Sequence, residues 1–165
     1  MQKHLFFVCP TDNLESVINF KFKHENYFLT SLGNSFEFNK DNVKEINTLI
    51  KRFKITEIIF ILAKNNKVIH SALNNQEFSH IGGITALNRE ITSQKKILKT
   101  LWEPRNLSIP IISFHLMNKV KELKIKMRNL SIDQLKVHAK IYRSQENIFT
   151  EIHRDLLFRE QFILN

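Results

Sequence analysis

The sequence predicts an α/β protein with a mainly parallel central sheet, flanked by helices and closed near its C-terminal end by an antiparallel hairpin. Three observations lead there. Two unbroken apolar runs, Leu5–Cys9 and Ile58–Leu62, have the length and lack of alternation of strands buried on both faces. Between them lie a β-prone run at 27–31 and then a stretch with helical apolar spacing, the order of a βαβ unit, whose crossovers are parallel and right-handed. Residues 135–143 alternate in polarity, turn at Ser144–Asn147 and return through Ile148–Ile152, which is hairpin patterning.

The elements follow in order. The first strand, at 5–9, is stopped by Pro10, and a short helix is expected over Leu14–Phe20. The strand at 27–31 is stopped by Leu32-Gly33-Asn34, a turn signal. Asp41 stands where an N-cap belongs, ahead of Val43, Ile46, Ile50 and Phe53, which share one helix face. That helix ends near Lys51-Arg52, where cations suit the C-terminal dipole. The strand at 58–62 stops in the polar loop Ala63–Asn66, and a second apolar run ends at His70, read as the end of a strand or turn.

Ile84, Leu87, Ile91, Leu98 and Leu101 predict a helix that stops before Pro104, and Val120, Leu123, Met127 and Leu130 predict another. In the hairpin, Leu135, Val137, Ala139 and Ile141 should face inward and Lys136, His138, Lys140 and Tyr142 outward. Lysines on a marginal strand would discourage edge-to-edge pairing. The tail 153–165 ends in Phe162-Ile163-Leu164, which favours docking on its own chain or on a second subunit.

The 165 residues fit one domain, spanning 1–165, with 42% apolar and 25% charged residues as in an ordinary globular protein. No window reaches the length of a transmembrane span, and the apolar stretch at Leu5–Cys9 is too short for a secretory core. A single cysteine excludes an internal disulfide and points to the reducing cytoplasm.

The net charge of +9 admits an anionic partner such as nucleic acid. Lysines spread from Lys3 to Lys140 without a run of five like charges are, however, the ordinary arrangement for solubility, so nucleic acid is not the favoured partner. No RNA- or DNA-binding signature is evident, and a high Phe content suits a core and a subunit interface. Ile81-Gly82-Gly83-Ile84 precedes a helix and offers backbone N–H groups, yet lacks the spacing of a phosphate-binding loop, and a tight entry into the helix is the favoured reading.

The order of motifs resembles the β-class carbonic anhydrases. That family opens on a strand running into Cys-x-Asp-Ser-Arg, and its second strand ends in Arg-Asn-x-Gly-Asn. A helix then leads into a strand ending in Gly-His-x-x-Cys-Gly, and a Tyr-bearing hairpin comes late. Here Phe7-Val8-Cys9 resembles the first strand and its cysteine. Thr30-Ser31-Leu32-Gly33-Asn34 keeps the final Gly-Asn, with Thr30 in place of the Arg and Ser31 in place of the Asn. Phe53–Phe60 follows the helix-to-strand pattern, and Ala139-Lys140-Ile141-Tyr142 resembles the hairpin.

The resemblance implies a zinc site of two cysteines and one histidine, and this chain departs from it. Cys9 remains, but Thr11 and Asn13 stand at the Asp and Arg positions, and Asp12 is one residue off, which should point it elsewhere. Ala63 stands at the histidine position and Asn66 at the second cysteine. One ligand of three does not hold zinc, and without zinc there is no metal-bound hydroxide for hydrating CO2.

The expectation is therefore a non-catalytic protein with no metal, no cofactor and no catalytic residues. A vestigial polar cleft would be formed by Cys9, Asp12, Gly33, Asn34 and Asn66, able to take a small anion or a neutral polar ligand. A homodimer is expected by resemblance, and no membrane. A relocated metal site of Cys9 with His70 or His80 stands against the plainer reading of a small buried cysteine and two loop or strand-end histidines. No nucleophile and base pair suggests another enzyme class.

Overall fold

The structure, a computed structural model, describes residues 2–74, 82–101, 107–128 and 135–152. Five strands form one sheet: β1 (Lys3–Val8), β2 (Glu25–Thr30), β3 (Glu57–Ala63), β4 (Lys136–Arg143) and β5 (Ile148–Glu151). Their order is β2-β1-β3-β4-β5, all neighbours being parallel except the β4–β5 hairpin. The helices are α1 (Glu15–Lys21), α2 (Lys40–Phe53), α3 (Lys67–Leu73), α4 (Gly82–Leu101) and α5 (Ser108–Met127). The mainly parallel α/β architecture expected from the apolar runs is the one observed.

The sheet separates two cores. Leu5, Phe7, Ile58, Phe60, Leu62 and Ala139 point to one face, where side chains of α2, α3, α4 and α5 cover them. Phe6, Val8, Ile59, Ile61 and Tyr142 point to the other, where Leu14 and Ile18 of the α1 region lie. Successive residues of β1 and β3 therefore enter different cores, so Leu5–Val8 and Ile58–Ala63 are apolar at every position. Phe7 and Phe60, opposite each other in register, stack with centroids 4.6 Å apart.

Several local expectations are corrected. The N-cap of α2 is Asn39, whose side-chain oxygen accepts the Asn42 N–H at 2.9 Å, and Asp41 lies inside the first turn. Helix α5 begins at Ser108, twelve residues before Val120, because Pro110 falls in its first turn, where no intrahelical N–H is required. The run ending at His70 is helix α3, capped by Asn66, and His70 sits exposed on it.

Tyr142 is buried rather than outward-facing, because the second core covers that side of the sheet. Strand β4 lies between β3 and β5, so its lysines guard no free edge. Leu130 and the tail 153–165 lie outside the described residues. No described helix is long and apolar enough to cross a membrane.

Asn39→Ala should cost about 1 kcal/mol in urea unfolding, and Asp41→Ala only a few tenths. The reverse ranking would return the cap to Asp41.

Candidate functional site

Strand β2 lies on one side of β1 and β3 on the other, so the chain reverses its direction of growth between β1 and β3. Loops leaving the C-terminal ends of these two strands diverge, and α/β proteins bind ligands in the crevice so formed. The loop after β1 carries Cys9 and a 3-10 turn, Pro10–Asp12. After β2 comes a second such turn, Leu32–Asn34, and after β3 the residues Lys64–Asn66 lead into α3.

The expected cleft residues meet here in one hydrogen-bonded group. Asp12 accepts the Ala63 N–H through Oδ2 and the Asn66 side-chain amide through Oδ1, each at 2.8 Å. Asn66 accepts the Ile69 N–H at 3.0 Å and so caps α3. Cys9 Sγ accepts the Gly33 N–H at 3.1 Å and lies 3.1 Å from Thr11 Oγ1. Asn34 Nδ2 donates to the Phe7 and Ile61 carbonyls at 3.1 and 2.8 Å, tying β1 to β3 beyond their last ladder pair, Phe7–Phe60.

Cys9, Asn34 and Asn66 are wholly buried. The displaced Asp12 does not point elsewhere: the 3-10 turn, released by Asn13 at φ 49°, carries its carboxylate across to the β3 loop. Gly33, at φ +59°, has a left-handed backbone, and an added Cβ would lie 2.7 Å from Leu87 Cδ2.

One residue escaped the sequence reading. His115, on α5, is wholly buried with both ring nitrogens engaged. Nε2 lies 2.9 Å from the Gly33 carbonyl and Nδ1 lies 3.0 Å from Glu90 Oε2. Both neighbours are acceptors, so the arrangement is fully paired when each nitrogen carries a proton. Glu90 also accepts from Asn118 at 2.9 Å and Gln94 at 3.1 Å. This cluster pins the turn after β2 to α4 and α5. The available signal was a histidine among Ile111, Ile112 and Leu116 on an apolar helix face, hidden by placing the helix start too late.

His70 is exposed on α3 while Cys9 is buried, and His80 lies outside the described residues. Among the described residues, no group of three His, Cys, Asp or Glu side chains is arranged to hold a metal ion. The Gly82-Gly83 pair opens α4, where Gly83 lets the helix approach Ser35: an added Cβ would lie 2.8 Å from the Ser35 carbonyl oxygen.

Burial pushes the Asp12 carboxyl above its ordinary value of 3.8, more strongly than its bonds from Ala63 and Asn66 hold it down. For Glu90, burial raises the value, but hydrogen bonds and charge from His115, the Asn118 amide and the Lys119 charge outweigh it, leaving the carboxyl below the ordinary 4.5. The two have opposite consequences. The Glu90 contribution to stability is present above 4.5 and lost as pH falls through its folded value. The Asp12 contribution is present below 3.8 and lost as pH rises through its folded value.

In urea unfolding across the acid range, Glu90→Gln should therefore lose part of the fall in stability below pH 4.5. Asp12→Asn should lose the opposing slope. At neutral pH, Asp12→Ala strands two donors and should cost about 1–3 kcal/mol. His115→Ala leaves a half-buried carboxylate short of a partner and should cost about 2 kcal/mol, discounted for the exposure of Glu90.

No protein-family model matches the chain, and no curated protein matches it significantly in sequence. Solved structures do match. One of the tetrameric β-carbonic anhydrases of Sordaria macrospora superposes with a TM-score of 0.75 at 13% identity, covering 92% of this chain and 80% of that one. The β-carbonic anhydrase CafA of Aspergillus fumigatus gives 0.72 at 12%, covering 98% and 81%. The Coccomyxa β-carbonic anhydrase, solved with acetazolamide, gives 0.70 at 14%, covering 92% and 72%. The chain therefore has the fold of the β-carbonic anhydrases.

Proposed function

We propose that this chain is a non-catalytic protein on the β-carbonic anhydrase scaffold, its switch-point crevice held shut by its own carboxylate. The carrying observation is the Asp12 bridge to Ala63 N–H and the Asn66 amide. The zinc ligand set of the family does not fit these residues. Ala63 offers no donor side chain, and the Asn66 amide is committed on both sides, donating to Asp12 and accepting from Ile69. Cys9 is a lone thiol, already bonded to Gly33 N–H. A zinc site needs three or four protein ligands, and no catalytic step is assigned through a metal here.

The same geometry suggests how a polar cleft operates in this reading. Its donors are the Ala63 N–H and the Asn66 amide, and Asp12 is a tethered anion occupying both. A small anion such as bicarbonate binds by exchange with that carboxylate. The reading also includes a reducing cytoplasmic setting, supported by the unpaired buried Cys9. Self-association as a homodimer is supported by the tetrameric state of the Sordaria enzymes.

Purified protein should contain no stoichiometric zinc by plasma mass spectrometry and should hydrate CO2 at the uncatalysed rate. Bound zinc together with hydration above background would end this reading. In calorimetry with bicarbonate, wild type should bind weakly and Asp12→Ala more tightly, because the competing carboxylate is gone. Silence from both proteins would remove anion binding while leaving the closed scaffold standing. Light scattering should give the mass of two chains, and a monomeric mass would remove self-association.

A further inference from the structure

We infer that the end of the molecule at which the parallel strands begin is a docking surface for the phosphate backbone of a nucleic acid. Helix α2 leaves the far end of the sheet after β2 and delivers the chain to the start of β3, while α5 precedes the start of β4. With β3 and β4 parallel, both helices run against the strands and finish at the same end. They pack over one face of the sheet in a common core through Ile46, Ile50, Val120 and Leu123.

Their last turns and C-caps carry Lys51, Arg52 and Lys54 from α2 and Lys124, Lys126 and Arg128 from α5. All six are exposed. No acidic residue lies within 48–54 or 123–128. None of the six forms an ion pair among the described residues, although Arg52 stacks over the Phe53 ring at 5.3 Å.

Charge that is dispersed along the chain is thus gathered in space. Some of it answers the helix dipoles, but each terminus presents only about half an elementary negative charge, so a surplus of about five positive charges remains. Among the described residues, the acids nearest this end are occupied: Glu25 pairs with Lys3 at 2.7 Å, and Glu57 lies 3.1 Å from His4 and 2.8 Å from His138. Two rows of cations on packed helices, whose axes lie about 8–10 Å apart, present fixed positive charge to a regularly spaced polyanion. The net charge of +9 adds long-range attraction. Ile125 is the one large apolar side chain exposed on the last turn of α5, which is too little to seat a lipid surface.

The test is fluorescence anisotropy with labelled single-stranded and duplex oligonucleotides, using the intact chain. Binding at low salt should weaken on the order of 10³-fold between about 50 and 200 mM salt if about six phosphates are neutralised. Replacing Lys51, Arg52 and Lys54 together by Gln, or Lys124, Lys126 and Arg128 together by Gln, should each weaken binding at least tenfold and flatten the salt slope. Lys64→Gln with Lys67→Gln, at the opposite end of the sheet, should change it less than twofold. Circular dichroism and thermal melting establish that each variant is folded, and a triple variant that fails to fold is replaced by its single substitutions. Absence of binding at low salt, equal loss from the opposite-end pair, or binding to anionic phospholipid vesicles without binding to oligonucleotides would each overturn the proposal.

Discussion

Strands β1 and β3 lie side by side at the middle of the sheet with helices or loop segments over both faces, and this double burial constrains everything around them. Leu5 to Val8 and Ile58 to Leu62 have to be apolar at every step. Where those runs end, the chain turns polar within one or two residues, and both ends fall at the same rim of the sheet. The polar group at the switch point is a direct product of that geometry. Backbone groups leaving the ladder at Phe7 and Ile61 are buried and need partners, and the Asn34 amide supplies them.

The same demand accounts for the rest of the rim. Ala63 N–H has no strand partner that could take it, so Asp12 reaches across to accept it. The first N–H groups of α3 are unpaired by the geometry of any helix, and Asn66 caps one of them. The Gly33 peptide is held on both sides, its N–H by Cys9 and its carbonyl by His115. Most polar groups of the rim are paired internally, while the buried Asn34 Oδ1 and Ser31 Oγ have no hydrogen-bond partner. The most labile member of the rim is Asp12, the one charged group there, only partly exposed and disfavoured in its ionised form by burial.

Much of this was legible in the sequence because it rests on patterns repeated over several residues. The two apolar runs, the alternation of the hairpin and the spacing Val43, Ile46, Ile50, Phe53 each depend on many side chains agreeing, and the corresponding elements are present. Five residues named for the cleft meet at one rim because Cys9, Gly33, Asn34 and Asn66 follow strand ends directly. What was illegible depends on single dihedral angles or on distant packing. The direction of Asp12 follows from a 3-10 turn and the left-handed Asn13, and no periodicity reports such a turn. The burial of Tyr142 requires knowing that a second core exists on its side of the sheet. His115 acquires its role only when α5 is laid against a turn 82 positions earlier in the chain.

The strand order has a further consequence for synthesis. Strand β3 is the most apolar segment of the chain and pairs on one side with β1, which is already made, and on the other with β4. Residues 64 to 135 must emerge before β4 exists. During translation, then, an unprotected hydrophobic margin of seven residues waits for its neighbour. Such a margin is a template for intermolecular pairing, and a chain truncated before Lys136 keeps that edge of β3 open for good.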